Sequence, residues 1–221
     1  MNSRRIAQFA TTVAAICILT TSAFAGPPLI CHAIDIGSAK TLPSVDWNYH
    51  KGDGGYDLNN LTRDTLAILD SNASALVRME TLRRATIYAR QDPQVAKELL
   101  TRLRARASNS NSDGALAAFD FGYLVESYKQ WMGTNEPNPA RGIDGYAWVK
   151  QAIEKRGSDA EMEFGAALIT LAGPESAHRD HVQKAMIGSK TDSLLARNLA
   201  VTFRNETVSS LLTRPADGVV K

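Results

Sequence analysis

From Leu61 onward, apolar side chains recur every three or four residues, the spacing of a helix that buries one face. Leu76, Met79, Leu82, Thr86 and Ala89 form the first clear stripe and predict a helix over 73–90. Asp92-Pro93 opens the next, with the Asp as N-cap and the Pro in the first turn, where its missing N–H costs nothing. Val95, Leu99, Leu103 and Ala107 make its stripe, and the polar segment 108–113 ends it. Leu116, Phe119, Phe121, Leu124, Val125, Tyr128 and Trp131 cover more than one face of a third helix, which predicts a rod packed between neighbours. A loop over 133–143, with Pro137 and Pro139, separates it from a fourth that starts at Asp144, carries Trp148, Val149, Ala152 and Ile153, and stops at Gly157.

Ser158-x-x-Glu161 has the capping-box pattern and predicts a fifth start. Gly173-Pro174 ends that helix and begins a sixth over 176–188. Asp192 opens a seventh through Leu195, Leu199 and Phe203, and Val208, Leu211 and Leu212 suit a short eighth. No segment alternates with period two. The expected fold is all-α.

The segment before Leu61 obeys different rules. Residues 26–60 hold Pro27-Pro28, Gly37, Pro43 and Gly52-Asp53-Gly54-Gly55 without a sustained period, which predicts an irregular arm. Its Leu29, Ile30, Ile34, Ile36, Val45, Trp47 and Tyr49 are too apolar for a free tail, so the arm should lie on the first hairpin of the helical domain. Residues 1–25 have the form of a signal peptide. Arg4 and Arg5 precede a short apolar stretch, and Ala23-Phe24-Ala25 offers a cleavage site. The apolar run is shorter than the roughly 20 residues a membrane span needs, so no retained transmembrane anchor is expected. The expected organisation is a leader (1–25), an arm (26–60), a helical domain (61–213) and a tail (214–221), with the processed chain periplasmic or extracellular.

A repeat lies inside the helical part. At an offset of 43, Ala117 aligns with Ala160, Phe119 with Met162, Asp120-Phe121-Gly122 with Glu163-Phe164-Gly165, and Val125 with Leu168. A mid-helix Gly costs about 1 kcal/mol relative to Ala, so two at equivalent places suggest close helix contact. Repeats of this period point to stacked αα hairpins. The stretch from Trp148 through Ala152, Gly157, Ala160 and Phe164 to Gly165 resembles the Sel-type repeat, a relative of the tetratricopeptide repeat. That resemblance implies a right-handed stack of about three αα hairpins and a partner-binding scaffold, and it supplies no catalytic residue. Pro28-Leu-Ile-Cys-His32 and the segment from Arg78 to Arg84 are similar to stretches of exported bacterial proteins.

Charge alters the picture only locally. The chain has 25 Lys and Arg against 23 Asp and Glu, and losing Arg4 and Arg5 with the leader would bring the net charge to zero. That argues against a nucleic-acid partner. Between Arg78 and Arg106, however, eight basic residues face three acidic ones, and residues 113–180 are net acidic. Guanidiniums at Arg83, Arg84 and Arg90 would suit the carboxylates of a protein or peptide partner.

Candidate chemistry is sparse. His178 and His181 share a helix face, with Glu175 one turn earlier, and are the candidate metal ligands; Cys31, His32 and His50 are the other donors. Cys31 is the single thiol left after processing and suits a small buried hydrophobe or a reactive thiol. Asp53, Asp57 and Asn59 lack the spacing of a calcium loop. No phosphate loop, Gly-x-Ser-x-Gly elbow or His-Glu-x-x-His helix occurs. The expected function is therefore non-catalytic binding of a protein or peptide, without a cofactor. A metal- or thiol-dependent enzyme using Cys31 and the histidines is one alternative, and a self-assembling envelope protein is the other.

Overall fold

The computed structural model describes residues 28–46, 51–109, 114–132 and 137–203. The leader expected over 1–25, Trp47, Tyr49, His50, the eighth helix expected around Val208 and the tail over 214–221 all lie outside the described residues. Among the described residues the fold is all-α apart from one minimal ladder. Helix α1 (Pro28–Cys31) is a single turn, and β1 (Val45–Asp46) pairs antiparallel with β2 (Lys51–Gly52). A 3-10 turn (Leu58–Asn60) leads into α2 (Leu61–Leu69), α3 (Ala75–Ala89), α4 (Pro93–Ser108) and α5 (Gly114–Trp131). Then come α6 (Gly145–Arg156), α7 (Ala160–Thr170), α8 (Glu175–Gly188) and α9 (Ser193–Thr202). No described helix is long and apolar enough to cross a membrane.

Local chemistry explains most boundaries. The carboxylates of Asp92, Asp144, Asp159 and Asp192 accept from the first free backbone N–H groups of α4, α6, α7 and α9. Gly157 ends α6 in the left-handed conformation with φ 77°. The capping box predicted at Ser158 is not formed. Ser158 itself has φ 66°, Asp159 caps α7, and Glu161 reaches across to accept the amide of Leu76 at 2.9 Å. A side chain of α7 thus caps α3, whose own Ser74 makes no side-chain cap.

Helix α3 lies at the centre, and every residue in it except Arg84 is buried. It packs on α2, α5 and α7, with the arm over its remaining side. Helix α4 lies against α5, α6 against α5 and α7, and α8 against α7, while α9 closes the end on α7 and α8. Leu76, Met79, Leu82, Phe119, Phe121, Leu124, Phe164 and Leu168 join one continuous core.

The two glycines of the sequence repeat meet unlike neighbours. Gly122 faces forward onto α6, where an added Cβ would stand 2.5 Å from the Gly145 carbonyl oxygen and 2.9 Å from Trp148 Cβ. Gly165 faces backward, 2.6 Å from Met79 Sδ of α3 and 2.9 Å from Phe119 Cζ of α5 by the same measure. The paired acids invert as well: Asp120 points to α3 and α4, and Glu163 points to α8. Equivalent positions in sequence are therefore turned to opposite sides in α5 and α7.

Gly122→Ala tests the α5–α6 contact. Ala should favour a helix by about 1 kcal/mol, yet here overpacking of about 1–3 kcal/mol opposes it. The melting temperature is expected to fall, whereas Gly114→Ala, whose Cβ meets open space, should leave it unchanged or raise it.

Candidate functional site: the groove that holds the arm

The most elaborate polar constellation is centred on Glu80 in the middle of α3. Glu80 is fully buried, and both carboxylate oxygens are saturated. Arg83 forks onto it, with Nε 2.7 Å from Oε2 and Nη2 2.9 Å from Oε1. Arg84 Nε donates to Oε1 at 2.7 Å, and the backbone amide of Ile34 donates to Oε2 at 3.0 Å. The spacing explains the cluster: residues three and four positions apart share a helix face, so one carboxylate can meet both guanidiniums. Burial pushes the Glu80 carboxyl up, but the hydrogen bonds and charge of the arginines outweigh it and hold the group below its usual value.

The remaining donors of this cluster read the arm. Arg83 Nη1 donates to the Ile30 carbonyl at 3.0 Å, and Arg84 Nη1 to the Leu42 carbonyl at 2.7 Å. Gln130 of α5 accepts the Leu29 amide, while Asn198 of α9 accepts the Asp35 amide and donates to its carbonyl. The Thr41 and Thr81 hydroxyls pair at 2.9 Å. Tyr88 donates to the Ser44 carbonyl and accepts from the Asp53 amide. Leu29, Ile34 and Leu42 enter the main core, and Ile30 packs with Ile87 and Trp131. The helices thus form a groove whose polar groups address backbone and whose apolar floor takes aliphatic side chains.

This arrangement corrects the expectation for the basic residues. Arg83 is 4% exposed, and Arg83 and Arg84 are spent on Glu80 and the arm, so neither presents a free guanidinium to solvent. Arg90 is exposed and lies over the Trp131 ring at 4.8 Å. The arm also reaches beyond the first hairpin, touching α3, α5, α7 and α9.

A second buried acid braces the neighbouring helices. Asp120 Oδ2 accepts from Arg78 at 2.6 Å and Arg106 at 2.7 Å, and both arginines also donate to the Leu69 carbonyl at the end of α2. Burial pushes the Asp120 carboxyl up to about 6 against the opposing charge of Arg78 and Arg106, and its Oδ1 has no hydrogen-bond partner. Beside this brace, Leu66, Asp70, Arg102, Arg106, Asn109 and Gly114 line a cleft of about 430 Å³.

Among the described residues, His178 and His181 do not converge on a metal-binding arrangement. His178 Nδ1 lies 2.9 Å from the Ala167 carbonyl oxygen, and its ring meets Phe203 edge-on. His181 Nδ1 bonds Glu163, and its Nε2 is 2.7 Å from the Tyr146 hydroxyl, which links α6, α7 and α8. Among the described residues no group of three or more His, Cys, Asp and Glu side chains is placed to share an ion. Cys31 is half-buried, and burial raises its thiol pKa against the charge of Arg83. Asp53 and Asp57 cap local turns through Gly55 and Asn59.

No family model, curated protein or solved structure matches the chain.

Glu80→Gln removes the charge that both arginines surround and should cost about 3–5 kcal/mol, the usual penalty for breaking a buried ion pair from one side. Urea denaturation reads the loss, and proteolysis within 28–46 should accelerate. Asp120 should act with the opposite pH sense. Its carboxyl titrates higher folded than unfolded, so folding binds a proton between about pH 4 and 6, and stability from this group falls as pH rises through that window. Asp120→Asn should therefore gain on the unsubstituted protein from pH 4 to 6 in parallel denaturation curves.

Proposed function

We propose that the protein is an exported, non-catalytic helical scaffold whose stacked hairpins hold an extended polypeptide segment. The observation that carries this reading is the way α3, α5 and α9 bind residues 29–44 mainly through backbone amides and carbonyls, with aliphatic side chains in the floor. Backbone recognition with a few apolar pockets is the common physical basis for binding extended peptides. Close packing of α6 on α5 and of α8 on α7 supports paired helices, the opposite facing of Gly122 and Gly165 counts against equivalent repeat units, and the leader pattern over 1–25 supports export. The arm then occupies the face that an open solenoid would offer to a partner.

The test uses the whole chain with a protease site placed at the exposed Gly54-Gly55 turn. After cleavage, a fluorescent peptide of residues 28–52 should exchange into the groove and raise anisotropy, and Glu80→Gln should weaken its binding at least tenfold. A nicked protein that keeps its helical circular dichroism yet fails to take up the peptide refutes segment binding. Export is checked separately, by the N-terminal mass of protein recovered outside the cytoplasm, which should begin at Gly26.

A further inference from the structure

We infer that the groove accepts the arm of a second copy, so that two chains assemble by exchanging residues 28–53. The inference rests on the segment-binding reading and names the partner of the same groove. Three features carry it.

The arm's contacts are almost wholly with distant parts of the chain. Among the described residues its long-range backbone bonds go to Glu80, Arg83, Arg84, Tyr88, Gln130 and Asn198, and its own regular structure is limited to the turn of α1 and the two-residue ladder. The arm therefore acts as a ligand that happens to be tethered. Every bond it makes in its own groove would form identically in the groove of another copy.

The tether is a single tight turn. The Tyr56 amide donates to the Asp53 carbonyl at 3.0 Å, closing Asp53-Gly54-Gly55-Tyr56, and both glycines are exposed. Both ends of the turn are fixed at the same place. The Asp53 amide donates to the Tyr88 hydroxyl, and the Tyr56 ring lies 4.8 Å from the Tyr88 ring. Opening Gly54-Gly55 into an extended link would direct the arm outward while β1, β2 and α1 travel with it as one piece. Shortening the link strains the reversal that the return path needs.

The occupant must match a demanding template. Leu29, Ile30, Ile34 and Leu42 fill fixed apolar sites, while the amides at 29, 34 and 35 and the carbonyls at 30, 42 and 44 must meet fixed partners. A second copy satisfies all of these at once. Reciprocal exchange closes with two-fold symmetry and leaves no groove empty. The cis and trans forms differ only in the link and in the cost of association, so concentration decides between them.

The experiment refolds a mixture of isotopically heavy and light full-length chains carrying the Gly54-Gly55 protease site, isolates any dimer, cleaves it and weighs the complexes by native mass spectrometry. Light bodies carrying heavy arms are expected, rising with refolding concentration and exceeding those formed when separately refolded heavy and light chains are mixed only after cleavage; hybrids no more frequent than in that control overturn exchange. In a companion chain lacking Gly54 and Gly55, dimers should dominate. For complete exchange from an equal mixture, hybrids should approach about half of all nicked complexes, the statistical value for a closed pair. Monomers at every concentration, or dimers that yield no hybrids, overturn arm exchange. If the free arm peptide still enters the nicked groove in that case, segment binding stands and only the second-copy partner falls.

Discussion

One buried carboxylate organises the arm and the central helix together. Glu80 sits where α3 has no solvent-facing side, and an ionised group there is tolerated only when fully partnered. Arg83 and Arg84 supply the charge, but a guanidinium has more donors than one carboxylate can take. The surplus donors need acceptors, and the arm's carbonyls at Ile30 and Leu42 provide them. The fourth lone-pair position on Glu80 needs a donor, which is the Ile34 amide. The helix cluster and the arm are thus incomplete without each other, and that mutual dependence fixes where an irregular segment must lie.

The same logic recurs in the other two central helices with different solutions. Asp120 takes two arginines on one oxygen and leaves the other bare, so desolvation prevails and its proton is held more tightly. Glu163 uses His181 and, at 3.8 Å, Lys184, and through His181 it engages Tyr146. A buried acid on each of α3, α5 and α7 gives every central helix a preferred rotation about its axis, because turning it would strand the charge. Apolar packing alone would tolerate several rotations of helices greasy all round. The opposite facing of Asp120 and Glu163 is then what turns Gly122 forward and Gly165 backward.

Much of the fold was legible before any coordinates. The stripes through Leu76–Ala89 and Leu195–Phe203, and the caps at Asp92, Asp144 and Asp192, are encoded within one or two turns of chain, where spacing and hydrogen bonding suffice. The Ser158 box failed because Asp159 offers the stronger acceptor one position later, which leaves Glu161 free for a tertiary partner. The groove was less legible. The excess of basic residues over 78–106 predicts guanidiniums open to a partner's carboxylates, whereas Glu80 at three- and four-residue spacing takes Arg83 and Arg84 into the interior. The usable clue was that apolar residues surround these charges on every side of the helix, from Leu76 and Val77 through Leu82, Ala85 and Ile87. A charged triad inside an all-round apolar helix belongs to the interior.

That reversal also changes what kind of surface the protein offers. A solenoid with free arginines on its concave face would attract acidic partners over a distance, with salt weakening the attraction. Here Glu80 offsets one of the two guanidinium charges and Arg83 is buried, so long-range attraction from this face is weakened and the arm is held by short contacts. The arm is held by fit: loss of an aliphatic group at one of its four apolar positions would leave a cavity, and a proline at position 34 would leave Glu80 without its fourth donor. Losing the Ile34 donor removes one of four hydrogen bonds to a buried charge, with those from Arg83 and Arg84 still in place. The seating of the arm therefore depends on the same buried carboxylate that orients α3.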